Sequence, residues 1–295
     1  MNSNRANPNG ELIAELHHHY ATSEYGEMMA GRIRYADYKP EHVTNHEWER
    51  MFGADVNNLD HLPLTHSLTR GFIRACRNPH EAWEGPVPSA AEFSDDHARV
   101  LEITAITHDW AEGPLRDIMY HLKTDQDEAE EVVVLHALLA ELAPQYYRLP
   151  EFQQAVEVMA DRKATTHLGR AFNTVERMGY LRTGIRFWER RMVSDDPVLN
   201  EELDFIAHFV FHEHVPVLLE RARLYPATDE FLRSNLDRLT RLVEDYDRRA
   251  PLLTPAYDKH MRPDDPRRTD FGRRFVETAT QLRNRYGVDA VPAAA

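Results

Sequence analysis

Apolar positions recur every three to four residues along most of this chain, the signature of helices that each bury one face. From Glu11 to about Arg34 the pattern is amphipathic at that spacing, and residues 44–53 carry a shorter stretch of the same kind. Pro63, a good first-turn residue, predicts a helix running on through Leu64, Leu68, Phe72 and Ile73. Residues 78–94 are rich in proline and predict a loop. Ser94 predicts the cap of the next helix, with Asp95 and Asp96 in its first turn and an end near His108-Asp109. Gly113-Pro114 predicts a break, followed by a short helix over 115–122 and a longer one over 126–143. Further helices are expected at 151–160, 164–190, 199–223 and 228–248, where Pro216 would end or kink the third. A loop with four prolines is expected at 250–268 and a last helix at about 269–286. Residues 1–9 and the tail from Val288 read as loose ends. No repeat interrupts this series. The expected fold is all-α: a helical bundle with a core over 45–195, an N-terminal extension over 1–44 and a C-terminal elaboration over 196–295 packed on the core.

Composition agrees with helices and narrows the partners. Of 295 residues, 42% are hydrophobic and only 12 are glycine, which favours helices over a many-turned β fold. The net charge of −14 is the reverse of what phosphate neutralisation requires, so duplex nucleic acid is not an expected partner. A small anionic substrate would need local positive charge from a metal ion or arginines. The single cysteine, Cys76, rules out an internal disulfide or a cysteine-rich zinc site and fits a reducing compartment. No secretory signal or membrane-length apolar run is seen, so a cytoplasmic protein that does not enter membranes is expected. The apolar helices beyond residue 195 leave room for a homodimer.

The chemistry centres on His108-Asp109. Adjacent side chains cannot share one helix face, but at a helix end the backbone turns and both can reach one divalent ion. Two ligands hold a catalytic metal weakly, and His66 is the upstream candidate for a third, since Thr65-His66-Ser67 interrupts an otherwise core-like pattern. Thr65–Phe72 and Ile103–Ile118 resemble the HD-domain superfamily of metal-dependent phosphohydrolases, and within it the bacterial 5′-deoxynucleotidase branch. That branch has His followed by Ser-Leu, then His-Asp-x-x-Glu-x-x-x-x-Asp, and His108, Asp109, Glu112 and Asp117 stand at this spacing.

The resemblance implies His66, His108 and Asp109 as metal ligands and Glu112 as the carboxylate that orients or deprotonates the attacking water. It implies Asp117 as hydrogen-bond partner of a substrate sugar hydroxyl. The cofactor would be a divalent ion, with Mn, Co, Fe, Ni, Zn and Mg all open, and the substrate a (deoxy)nucleotide phosphate. Where the family has a later Asp ligand, this chain has Asn173. A neutral amide leaves the ion one charge less compensated, which implies weaker metal retention, a shifted substrate preference or loss of hydrolysis. A degenerate domain that binds a nucleotide or a partner protein without turnover is therefore one alternative. A di-metal oxygenase using His121 and His136 is another. Trp48, Arg50 and Arg70 are candidates for substrate contact, and Arg32 and Arg34 share arginine's aptitude for phosphate. Asp204, His208 and His212 lie on one helical stripe, a valid metal geometry in principle, though a polar stripe on a buried or subunit-facing helix explains them better.

Overall fold

A computed structural model describes residues 8–89, 91–118 and 121–287, apart from the side chains of residues 8 and 9. The expected loose ends at 1–7 and 288–295 lie outside these residues, as do 119 and 120 of the expected short helix. Among the described residues the protein is all-α, with one isolated antiparallel bridge between Ile33 and Asn57. The helices in chain order are α1 (Pro8–Ala21), α2 (Glu24–Ala30), α3 (Asn45–Phe52), α4 (Asn58–Arg77), α5 (Asp95–Thr107), α6 (Glu112–Leu115) and α7 (Asp125–Leu142). They continue with α8 (Pro150–Ala160), α9 (His167–Arg191), α10 (Pro197–Arg221), α11 (Pro226–Ser234), α12 (Leu236–Glu244), α13 (Tyr246–His260) and α14 (Arg267–Tyr286). No helix among the described residues is long and apolar enough to cross a membrane.

Two compact units emerge, and neither is a consecutive piece of chain. Among the described residues the first comprises those of 8–34, 53–73 and 89–175; the second comprises those of 35–52, 74–88 and 176–287. Both 1–44 and 45–195, expected as extension and core, contribute to each unit.

In the first unit α1 packs on α5 and α2, α2 on α6, and α8 on α5 and α7. Leu12, Ile13, Leu16 and Tyr20 supply the buried stripe of α1, at the spacing that makes a helix amphipathic. The expected single helix over 11–34 is broken at Ser23, whose hydroxyl accepts from the Gly26 amide and caps α2. Gly26 sits so close to the Tyr20 carbonyl that a Cβ there would collide with it, so the two helices meet at a tight corner. The start of α5 is as expected, with the Ser94 hydroxyl accepting from the His97 amide. Thr124 and Asp127 close a capping box on α7.

The second unit is built on α10, against which α11, α13 and α14 pack. The expected helix over 228–248 is three helices, and the loop expected at 250–268 is largely the helix α13. Pro251 and Pro255 lie inside α13, where each removes one backbone bond. Burial of Tyr246, Arg249, Leu253, Ala256 and Tyr257 along one face outweighs that loss. Likewise α10 continues past Pro216 to Arg221, with its flanks Val215, Leu218 and Leu219 buried. Rings of Trp48, Phe52 and Phe187 form a second apolar cluster in this unit.

Candidate metal centre

α5 ends at His108, which caps it, and the chain then turns through Asp109–Ala111 into α6. Gly113 and Pro114, expected to break the chain, lie within α6, where Pro114 occupies the first turn and needs no donor. This turn brings the side chains of His108 and Asp109 together, with His108 Nε2 3.1 Å from Asp109 Oδ2. His108 Nδ1 lies 3.0 Å from the Ala105 carbonyl, so Nε2 is the ring nitrogen on the side of the carboxylate.

The histidine that meets His108 and Asp109 is His61. His61 Nε2 is 3.8 Å from Asp109 Oδ2, its ring centroid is 5.4 Å from that of His108, and ligand atoms of His61, His108 and Asp109 all lie within 4.8 Å of one another. Two donors each about 2.1 Å from one ion stand at most about 4.2 Å apart, so the 3.1 and 3.8 Å separations of the two imidazoles from Asp109 Oδ2 are within the reach of one divalent cation. His66, expected as a ligand, instead has its Nε2 4.0 Å from Glu102 of α5, and Arg70 flanks the same carboxylate at 3.9 Å. Five residues are about 140° around a helix, so His61 and His66 cannot serve one point.

Further groups surround the triad. Arg34 Nη1 donates to Asp109 Oδ2 at 3.0 Å. Burial alone would raise the Asp109 carboxyl, but His108 first, then Arg34 and His61, hold it well below the usual range. Glu112 is buried, and its Oε2 has no hydrogen-bond partner. Burial first, then the charges of Asp109 and Asp117, push its acid well above the ordinary value, with Arg34 and Lys123 acting against them. Lys123 pairs with Glu131 at 2.7 Å, which also receives Arg162 at 2.9 Å. Burial would lower its ammonium, but Glu112, Glu131 and Asp109 more than offset this. Asp117 is half-buried just beyond Arg116, whose φ of +93° is a strained conformation for a side-chain-bearing residue.

The other expected residues lie as follows. Asn173 is half-buried on α9, one residue after Phe172, whose ring meets that of His108 at 5.6 Å. Trp48 and Arg50 belong to α3 in the other unit, where Trp48 is buried against Phe52 and Phe187 and Arg50 is exposed. Arg32 donates to the Glu112 carbonyl. His136 Nδ1 meets the Tyr147 hydroxyl at 3.2 Å, and the triad of His61, His108 and Asp109 is the group with metal-binding geometry among the described residues.

Comparison with family models, with curated proteins and with solved structures returned no match. The likeness to HD phosphohydrolases therefore rests on residues 100–120 and the surroundings of His66. The geometry moves the upstream histidine to His61.

Proposed function

We propose that the protein is a metal-dependent phosphohydrolase whose ion is held by His61, His108 and Asp109. The observation that carries this is the convergence of two imidazole nitrogens and a carboxylate oxygen, with Glu112 buried three residues on and its Oε2 without a hydrogen-bond partner. The donor set fits a divalent transition metal, since imidazole and carboxylate suit Mn, Fe, Co, Ni or Zn. When bound, such an ion acidifies a water and offsets negative charge on phosphoryl oxygens.

The chain's own residues supply the rest. Glu112 would accept the proton as the water oxygen bonds to phosphorus and the ester P–O bond breaks, and would pass that proton on to the leaving oxygen, directly or through water. Arg34 and Lys123 are cations near the site, each already paired with a carboxylate, Asp109 and Glu131, so the charge that draws in a phosphate would come chiefly from the ion. By the family resemblance, Asp117 would accept a hydrogen bond from a hydroxyl of the substrate. The choice of a (deoxy)nucleotide as the ester follows from the family resemblance alone.

A screen of nucleoside mono- and triphosphates with added Mn or Co tests the proposal. Release of phosphate or pyrophosphate that disappears in His108→Ala is expected; release no greater than in that variant contradicts it. A second reading, binding without turnover, is favoured by Arg34, whose guanidinium already compensates Asp109, and by the neutral Asn173. Under that reading nucleotides bind with no release, and Asn173→Asp brings release about.

A further inference from the structure

The turn that carries Asp109 and Glu112 is held from outside by the N-terminal helices. Tyr20, fully buried at the end of α1, donates its hydroxyl to the Trp110 carbonyl at 2.8 Å. Its ring stacks on that of Trp110, with centroids 4.6 Å apart and planes 14° from parallel. The hydroxyl lies so close to Gly113 that a Cβ there would stand 2.5 Å from it and 2.7 Å from the Tyr25 carbonyl. Glycine at 113 is what allows this approach. Arg32 takes the Glu112 carbonyl, so the backbone of the turn is gripped at 110 and 112 by one segment, residues 20–32. Within the turn itself the Glu112 amide donates to the Asp109 carbonyl at 2.9 Å and the Gly113 amide to the Trp110 carbonyl at 3.2 Å. The Trp110 carbonyl thus accepts both the turn's own bond and the tyrosine's.

We propose that Tyr20 is a positioning residue: its hydroxyl, clamped on the Trp110 carbonyl against Gly113, fixes where Glu112 stands relative to His61, His108 and Asp109. Tyr20 touches none of the three ligands and acts through the backbone of the turn. The role assigned to Glu112 rests on the phosphohydrolase reading; the clamp itself does not.

The test is Tyr20→Phe in the full chain, which removes one oxygen and keeps the stacked ring. Amide hydrogen exchange at Glu112 and Gly113 should speed up by about tenfold, the loss of one hydrogen bond, while amides of α8 stay as they were. Metal content should not change. With a nucleotide that the wild-type protein hydrolyses, kcat should fall by about tenfold with KM within about twofold. In a Glu112→Gln background the same change should cost less than about twofold, since a residue that acts by placing Glu112 has nothing left to place. Unchanged exchange at Glu112 and Gly113 overturns the clamp. An equal loss of kcat with and without Glu112 overturns the positioning role and marks Tyr20 as ordinary core. Should the wild-type protein release nothing from any nucleotide, the phosphohydrolase reading fails, and the exchange result alone decides the clamp.

Discussion

Two histidine-and-carboxylate clusters sit in the two units, and only one has the form of a metal site. On α10, Asp204, His208 and His212 stand at helical spacing and are all buried. Their polar atoms diverge: Asp204 is taken by Arg191 and Arg249, His208 Nδ1 meets the Asp204 backbone carbonyl at 2.8 Å, and His212 Nε2 meets the Tyr257 hydroxyl at 2.7 Å. His214 is likewise spent, stacked on Tyr180 and bonded to Arg177. In the first unit, His61 and His108 come from different helices and aim at one oxygen of Asp109. Spacing along one helix produced a row of groups that each turn to a different neighbour; a helix end and a second helix produced convergence. The first arrangement stabilises a core, and the second can hold an ion.

The comparison breaks most visibly at Glu112. Glu112→Gln should leave metal content unchanged and lower kcat by roughly 100- to 10,000-fold, the range for a lost general base; undiminished turnover would leave Glu112 without a catalytic role. In the other cluster Asp204→Ala should destabilise the protein by about 1–3 kcal/mol, because Arg249 keeps Asp245 but loses one of its two carboxylates and Arg191 loses its own. Denaturant unfolding measures this. Metal content per folded chain should stay the same, and a loss would mean that the α10 stripe binds an ion after all.

A smaller effect separates the clusters by pH. Burial lowers His208 to about 4, and burial followed by Arg177 lowers His214 to about 3, from an ordinary 6.5. These imidazoles are neutral in the fold, whereas the unfolded chain protonates them below about 6.5. Their contribution is complete above that pH and is lost as the pH falls towards the folded values. Unfolding free energy should therefore drop between pH 6.5 and 4.5 by on the order of 2 kcal/mol for each buried imidazole. A flat profile over that window would show that they are not buried as neutral groups.

Several of the first unit's helices, α5, α7 and α8 among them, could be read from the chain, because their signals are local: the Ser94 cap, the apolar spacing over 126–143, the turn after His108. His61 could not. Pro63 looks like the first turn of a helix, which puts His61 outside it; in the fold α4 begins at Asn58 and carries Pro63 as its sixth residue. A signal was present nonetheless in His61, Thr65 and Thr69, a polar stripe at four-residue steps. Thr65 and Thr69 are buried, and Thr65 Oγ1 meets His61 Nε2 at 3.1 Å. His66 carried the more familiar local sequence, but which face of a helix turns inward is decided by packing that no local pattern contains. The same holds for α13, whose two prolines suggested a loop that tertiary burial overrode. Arg34 stood out only as one arginine among several, since nothing local places it against a carboxylate 75 residues away.

The most direct test of the central claim is the metal content of the purified protein beside His61→Ala and His66→Ala, each dialysed against the same Mn- or Co-containing buffer. A mononuclear site on His61, His108 and Asp109 predicts about one ion per chain in the wild type and in His66→Ala, and less than about a tenth of that in His61→Ala. An ion kept in His61→Ala and lost in His66→Ala would contradict it.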